Sequence, residues 1–297
     1  MKTALHSVSY SGSWGQARLS LDEFFVKAKT LGFDGVMLMA KRPHLSILDY
    51  DEAAARRLRE ALDVLGLEVA CLAGYNDFGL GFDRPDIPVA EMQKLSIREL
   101  CRLATKLRCG LIRVFTGYTA VAATDQQLWN ACVANLRECA KLAGDFGVTL
   151  GVQNHHDAAV HYESFADLIE EIDHPNCKAM FDAWAPALQG DDLVQAVKRL
   201  APHIVHTTVA DYVRRPRFRY EPSLVNYVRE TDASRAVPIG EGFIDYRVFF
   251  AALAAAGYRG TVAYEMCSPL RGGGTVENLD HYARRFREYM QALPTTG

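Results

Sequence analysis

Four stretches of this 297-residue chain stay apolar until their last few residues and then turn polar. TLGVQNHHD (149–157) ends in Gln153, Asn154, His155, His156 and Asp157, and CKAMFDA (177–183) ends around Asp182. IVHTTVAD (204–211) carries His206, Thr208 and Asp211, and GTVAYEMC (260–267) carries Glu265. Carboxylates, imidazoles and amides are the side chains that move protons and ligate cations. Side chains alternate along an extended segment, so Gln153 and His155 share a face, as do His206 and Thr208. A strand that turns polar only at its C-terminal end reads as the edge of a site rather than as core. Glu265 is the hardest to read otherwise, because a carboxylate buried without a partner is costly. The others have structural alternatives. Asp182 could cap a following helix, His155 and His156 could orient other groups by hydrogen bonding, and His206 could be a satisfied core histidine.

These segments belong to a longer alternation. Short apolar runs at 3–9, 34–40, 67–74, 111–118, 149–156, 177–183, 204–211 and 260–267 read as strands. Amphipathic stretches near 19–31, 50–66, 88–107, 124–146, 163–173, 191–200, 245–257 and 275–293 read as helices. Eight strands alternating with eight helices imply an α/β fold with a parallel sheet and crossover helices. An open doubly wound sheet usually carries a Gly-rich phosphate loop after its first strand, and SGSWGQ is not GxGxxG. The expectation is therefore one (β/α)8 barrel over 1–297, with its site at the C-terminal ends of the strands. Ser20 with Glu23 reads as a capping box, and Gly32 and Gly257 as glycines that end helices. The one irregular stretch is 212–243, after the seventh strand, which reads as a long loop that is functional or contains short elements of its own.

Composition narrows the class. Hydrophobic residues make up 49% and charged residues 23%, enough apolar material for a large core. The net charge of −3 does not suggest a nucleic-acid binder, which usually shows a basic surface. No apolar run approaches the roughly 18 residues that span a bilayer. The first residues lack the apolar stretch of a secretion signal. The seven cysteines are scattered and form no CxxC, so they read as reduced thiols. A cytoplasmic protein with no nucleic-acid or membrane partner is expected.

Five segments carry a family resemblance: TLGVQNHHD, MFDAWAPALQG (180–190), IVHTTVADY (204–212), PIGEGFIDY (238–246) and TVAYEMCS (261–268). With them the chain resembles the xylose-isomerase-like TIM barrels, the sugar phosphate isomerase/epimerase superfamily. That superfamily includes ketose 3-epimerases, hydroxypyruvate isomerases, inosose dehydratases and endonuclease IV. The resemblance implies one divalent metal, held by Glu, Asp, His and Glu from strands five to eight. Asp182 and Glu265 match the second and fourth. The first Glu falls at Gln153, and the usual ligand His falls at Thr208, leaving His206 about 6–7 Å back along the strand. Gln153, Asp182, His206 and Glu265 would make a mixed oxygen–nitrogen site that suits Mn above all, with Mg, Co or Zn open. If His206 cannot reach, His155 or His156 would replace it.

The implied activity is a metal-dependent isomerase or epimerase of a small sugar, sugar phosphate or sugar acid. Such an enzyme abstracts a proton beside a carbonyl and stabilises an enediolate. Epimerases of the family use two carboxylates, and an amide at 153 cannot take a proton. One-base chemistry therefore stays open, with Glu265, His155 or His156 as base. The alternative is a lyase or dehydratase acting on a keto-sugar or keto-inositol. A second alternative, from another class, is a non-catalytic carbohydrate-binding barrel. The nuclease reading fails on Ala185, where that enzyme would need a histidine. Trp14, Lys41 and Tyr75 are expected to face the substrate, and so are Arg214, Arg217 and Arg271, which suit a phosphate or carboxylate. Relatives are often dimers or tetramers, which leaves a homo-oligomer open.

Overall fold

The computed structural model describes residues 1–294. Ten strands run in chain order: β1 Lys2–His6, β2 Gly35–Met39, β3 Glu68–Ala73, β4 Leu111–Val114, β5 Thr149–Gln153, β6 Cys177–Met180, β7 Ile204–Val209, β8 Asp211–Glu221, β9 Asn226–Val237 and β10 Thr261–Tyr264. Eight of them close into a parallel barrel in which β10 completes the ring between β7 and β1. This is the (β/α)8 barrel expected from the alternation of elements. No helix among the described residues is long and apolar enough to cross a membrane. All seven cysteines are unpaired, and six are buried.

The helices turn one face to the barrel. In α2 (Glu52–Leu65), Ala55, Leu58 and Leu62 are buried, the spacing of a single helical stripe. Asp51 caps its first turn by accepting from Ala54 N, and Gly66 ends it in the left-handed conformation. The Ser20–Glu23 capping box forms at the start of α1 (Leu21–Thr30). Gly32 and Gly257 have φ of 79° and 80°, which a glycine adopts without strain.

Two layers fill the barrel. Ala4, Met37, Cys71, Leu111, Met180 and Ala263 form an apolar plug. The residues two further along the same strands face the same way. They are His6, Met39, Ala73, Arg113, Asp182 and Glu265, joined by Gln153 and Thr208 from β5 and β7. An apolar floor therefore carries a polar ring.

Three elements differ from the sequence expectation. The first strand ends at His6, where a 3-10 turn (Ser7–Tyr10) begins because the His6 imidazole accepts from Val8 N. After β6 a short extra helix (Trp184–Gln189) precedes the expected one (Leu193–Leu200). Residues 212–243 are not a loop but mostly an antiparallel hairpin, β8 paired with β9 from Asp211↔Val237 to Glu221↔Asn226. Its base is buried, while Phe218, Tyr220, Leu224, Val225 and Tyr227 are exposed on its distal half.

Two contrasting stability effects are expected. Phe24 is fully buried against Tyr10 and Phe25, so Phe24→Ala should cost about 3–5 kcal/mol in denaturant unfolding. Replacing residues 216–232 by an Asn-Gly turn, which would join Arg215 to its partner Ala233, should shift stability by less than about 1 kcal/mol. A comparable loss in both variants would show that the hairpin is part of the folding unit.

Candidate active site

Two strand ends are held by a side chain that imitates a sheet hydrogen bond. Asn76, just after β3, donates to Phe115 O and accepts from Phe115 N, both at 2.8 Å. Asn154, just after β5, does the same for Asp182, donating to its O at 3.1 Å and accepting from its N at 2.9 Å. These clamps extend the barrel beyond its regular ladder and fix where Phe115 and Asp182 stand. Asp211 serves the hairpin base, accepting from the backbone N–H groups of Gly240, Gly242 and Tyr212 at 2.8, 2.9 and 2.9 Å. It is a structural acceptor, which answers its polar position at the end of β7.

A cavity of about 520 Å³ opens above the polar ring. That volume suits a small polyhydroxylated molecule. Trp14, Lys41 and Tyr75 line it, together with Gln153, His155, His156, Asp182 and Glu265. Lys41 Nζ lies 3.9 Å from the centre of the Tyr75 ring. The expected arginines are elsewhere. Arg214 bonds Leu188 O, Arg217 pairs with Glu230 along the hairpin, and Arg271 pairs with Glu241. None of the three lines the cavity: the hairpin carries Arg214 and Arg217 away from the barrel mouth, and Arg271 is held by Glu241.

The cavity floor holds a cation that the sequence did not single out. Arg113, inward on β4, is 1% exposed and lies in the ring with the carboxylates. Its Nη1 donates to Gln153 Oε1 at 3.1 Å and to Glu265 Oε1 at 3.2 Å, and its Nη2 to Gly74 O at 3.3 Å. The guanidinium lies 4.2 Å from the Phe115 ring centre and 4.9 Å from that of Tyr75. Its Nε makes no hydrogen bond among the described residues. The signal for it was present. LIRVF places an arginine on the same face as Leu111, within a strand otherwise wholly apolar.

The polar ring is a directed chain of hydrogen bonds. Gln153 accepts from Arg113 through its oxygen, so its nitrogen faces the other way. That nitrogen donates to Asp182 Oδ2 at 2.9 Å and to Thr208 Oγ1 at 3.1 Å. Asp182 Oδ1 accepts from Trp184 N at 3.1 Å, so both Asp182 oxygens are engaged. Glu265 spends Oε1 on Arg113, with His6 Nε2 3.6 Å away. Its Oε2 has no hydrogen-bond partner among the described residues.

The histidine pair sits on the wall. His156 N donates to His155 Nδ1 at 2.9 Å, which leaves the His155 proton on Nε2. The His156 ring lies 4.4 Å from Phe115 and 3.8 Å from Tyr118, centre to centre. His156 has φ 68° and ψ 168°, a region other residues than glycine seldom enter. Burial lowers both imidazoles to about 4, helped by His156 and then Arg113 at His155 and by Arg113 at His156, so both are neutral at pH 7. His206 is likewise lowered to about 4 by burial and Arg113.

The resemblance implies a divalent metal held by Gln153, Asp182, His206 and Glu265. Gln153 Oε1 and Glu265 Oε1, two of the oxygens it would need, already accept from a guanidinium. Asp182 meets the Gln153 amide. On β7 it is Thr208, 3.5 Å from Asp182 Oδ2, that joins the ring. His206 pairs in register with Met180, one inward step below, and its Nε2 has no partner among the described residues. His155 and His156 are turned toward each other. No three His, Cys, Asp or Glu side chains among the described residues are grouped to hold an ion. As folded, the set does not fit a divalent metal.

A family model described as xylose isomerase-like TIM barrel matches residues 25–289. The chain belongs to that family. A 3-dehydroshikimate dehydratase from Bacillus anthracis is 25% identical over 252 residues, 83% of this chain and 84% of the relative. An inosose dehydratase from Geobacillus thermodenitrificans is 22% identical over 167 residues, about half of each chain (56% and 55%). Among solved structures, D-psicose 3-epimerase from Clostridium cellulolyticum H10 superposes with a TM-score of 0.77 at 19% identity, covering 99% of both chains. These relatives are enzymes, as the residues led one to expect, and they include both dehydratases and epimerases.

Asp182 gives a measurable signature. Burial pushes its carboxyl up to about 6, reinforced by Glu265 and opposed by the bonds from Gln153, Trp184 and Thr208. In the unfolded chain an aspartate titrates near 4. The folded state therefore binds this proton more tightly, and the associated stability, complete below pH about 4, is lost as the pH rises through about 6. Asp182→Asn stays neutral. It should be more stable than the wild type at pH 7, by up to roughly 2 kcal/mol, and the gap should close below pH about 4. Denaturant titrations at the two pH values measure this, and a gap independent of pH would remove Asp182 as its source.

Proposed function

We propose that this protein is a dehydratase that eliminates water from a small, polyhydroxylated cyclic ketone. The observation that carries the reading is the state of Gln153. Its amide is locked between Arg113, Asp182 and Thr208 and cannot accept a proton, which leaves Glu265 Oε2 as the one carboxylate oxygen without a partner in the ring. Epimerisation through two opposed carboxylates needs a second base. β-Elimination needs one base and a donor for the departing hydroxyl.

In this reading Glu265 Oε2 removes the proton next to the carbonyl. The electron pair forms the carbon–carbon double bond as the β-carbon–oxygen bond breaks. The His155 Nε2–H, neutral at pH 7, donates a hydrogen bond to the departing oxygen, and the proton taken up by Glu265 is delivered to that oxygen, which leaves as water and restores the Glu265 carboxylate. His156 holds His155 in that tautomer. Trp14 and Tyr75 offer faces for the ring, and Lys41 offers a cation to an acidic substituent. The names of the dehydratase relatives support this class, and the epimerase relatives support the shared first step. A sugar isomerase or epimerase using the same proton abstraction is the second reading, favoured by the likeness to D-psicose 3-epimerase.

Incubation with 3-dehydroshikimate, an inosose and D-psicose, followed by mass spectrometry, separates the two. Loss of one water is the expected result. A mass-neutral change of stereochemistry, with solvent deuterium incorporated, would replace the dehydratase reading by the epimerase one. Glu265→Gln should lower turnover by about 10²–10⁴-fold, the range for a general base. His155→Gln should lower kcat more than it changes KM, because the departing hydroxyl needs its donor only as the bond breaks.

A further inference from the structure

We infer that Arg113 is the resident cation of this site and stands in the place of a divalent metal. The guanidinium takes the two oxygens, of Gln153 and Glu265, that a metal at the mouth of this barrel would coordinate. It is fully buried in the ring. Arginine does not lose its proton in proteins, so the charge is permanent. The chain's other departures follow from it. A glutamate at 153 would turn its second oxygen on the Asp182 carboxylate, 2.9 Å from the present amide nitrogen, whereas glutamine accepts from the arginine and donates to the aspartate. A metal-ligating imidazole at 208 is replaced by a hydroxyl that completes the same chain. Of the five guanidinium N–H groups, three donate to Gln153, Glu265 and Gly74, and the Nε–H is buried without an acceptor among the described residues. Resting on the dehydratase reading, the fixed positive charge stabilises the enolate that forms on the substrate in the cavity above it. The occupation of the cation position rests on geometry alone.

The test is the metal content and the metal response of the full-length protein, neither of which needs turnover. The wild type, incubated with Mn, Co, Zn or Mg and desalted, is expected to retain far less than one equivalent. Neither added metal nor EDTA should move its Tm, whereas an ion bound to the native state would raise it. Gln153→Glu/Thr208→His with Arg113 retained should also stay metal-free. Adding Arg113→Ala to that pair should give about one equivalent of Co or Mn and a metal-dependent rise in Tm. One equivalent in the wild type, lost in Asp182→Asn, would overturn the inference, and this measurement requires no variant of Arg113. A triple variant that folds and stays metal-free would overturn the assignment of the position. Once a substrate is in hand, Arg113→Ala should lower kcat by about 10²–10³-fold with EDTA still without effect. Failure to find a dehydration would leave the metal results standing.

Discussion

The arrangement of this protein follows from one buried ion pair, Arg113 with Glu265. A guanidinium taken from water into the middle of a barrel carries a desolvation penalty of several kcal/mol. It persists only where its hydrogen bonds are met and its flat faces are covered. Glu265 supplies the opposite charge, Gln153 and Gly74 supply neutral oxygens, and Tyr75 and Phe115 supply aromatic faces. Each of these partners comes from a different place in the chain, so the pair ties strands β3, β4, β5 and β10 together at the cavity floor.

Fixing the arginine fixes the polarity of the ring. Once Gln153 has given its oxygen to Arg113, its nitrogen must face Asp182. Asp182 must then be an acceptor, and Thr208 shares the same donor. The network is nearly complete, which is the condition under which buried polar groups can be tolerated. The exceptions are His6 Nε2, Arg113 Nε and one oxygen of Glu265, and the last two belong to residues that line the cavity. A cation and a carboxylate with spare capacity, side by side above an apolar plug, are the elements of proton abstraction beside a carbonyl.

The barrel makes such a ring affordable to hold in register. Its floor of Met, Leu, Ala and Cys side chains leaves no room for the ring to sink. The asparagine clamps at residues 76 and 154 continue strand pairing where the ladder has already ended. The strain at His156 is borne at the end of β5, between rings from Phe115 and Tyr118. Rigid strand ends with adaptable loops above them are what allow one architecture to carry both epimerases and dehydratases.

Periodicity along the chain determined the barrel, because alternating strand and helix patterns with short connections admit few ways to bury their apolar faces. The apolar-to-polar switch at the strand ends pointed to Gln153, Asp182 and Glu265 as one polar cluster, since such residues cannot be buried without partners. It also pointed to His155 and His156, while Trp14, Lys41 and Tyr75 were legible from their places after the first three strands. What those groups are bonded to was not legible. Arg113 is one charged letter in an apolar strand, and only closure of the barrel brings it within reach of Gln153 and Glu265, 40 and 152 residues away. The arginines at 214, 217 and 271 looked like an anion site by composition, and the hairpin that removes two of them from the mouth is set by pairing across a turn. Local sequence decides which elements form and which residues they present. Which charges meet depends on closing the ring, and that is a property of the tertiary structure alone.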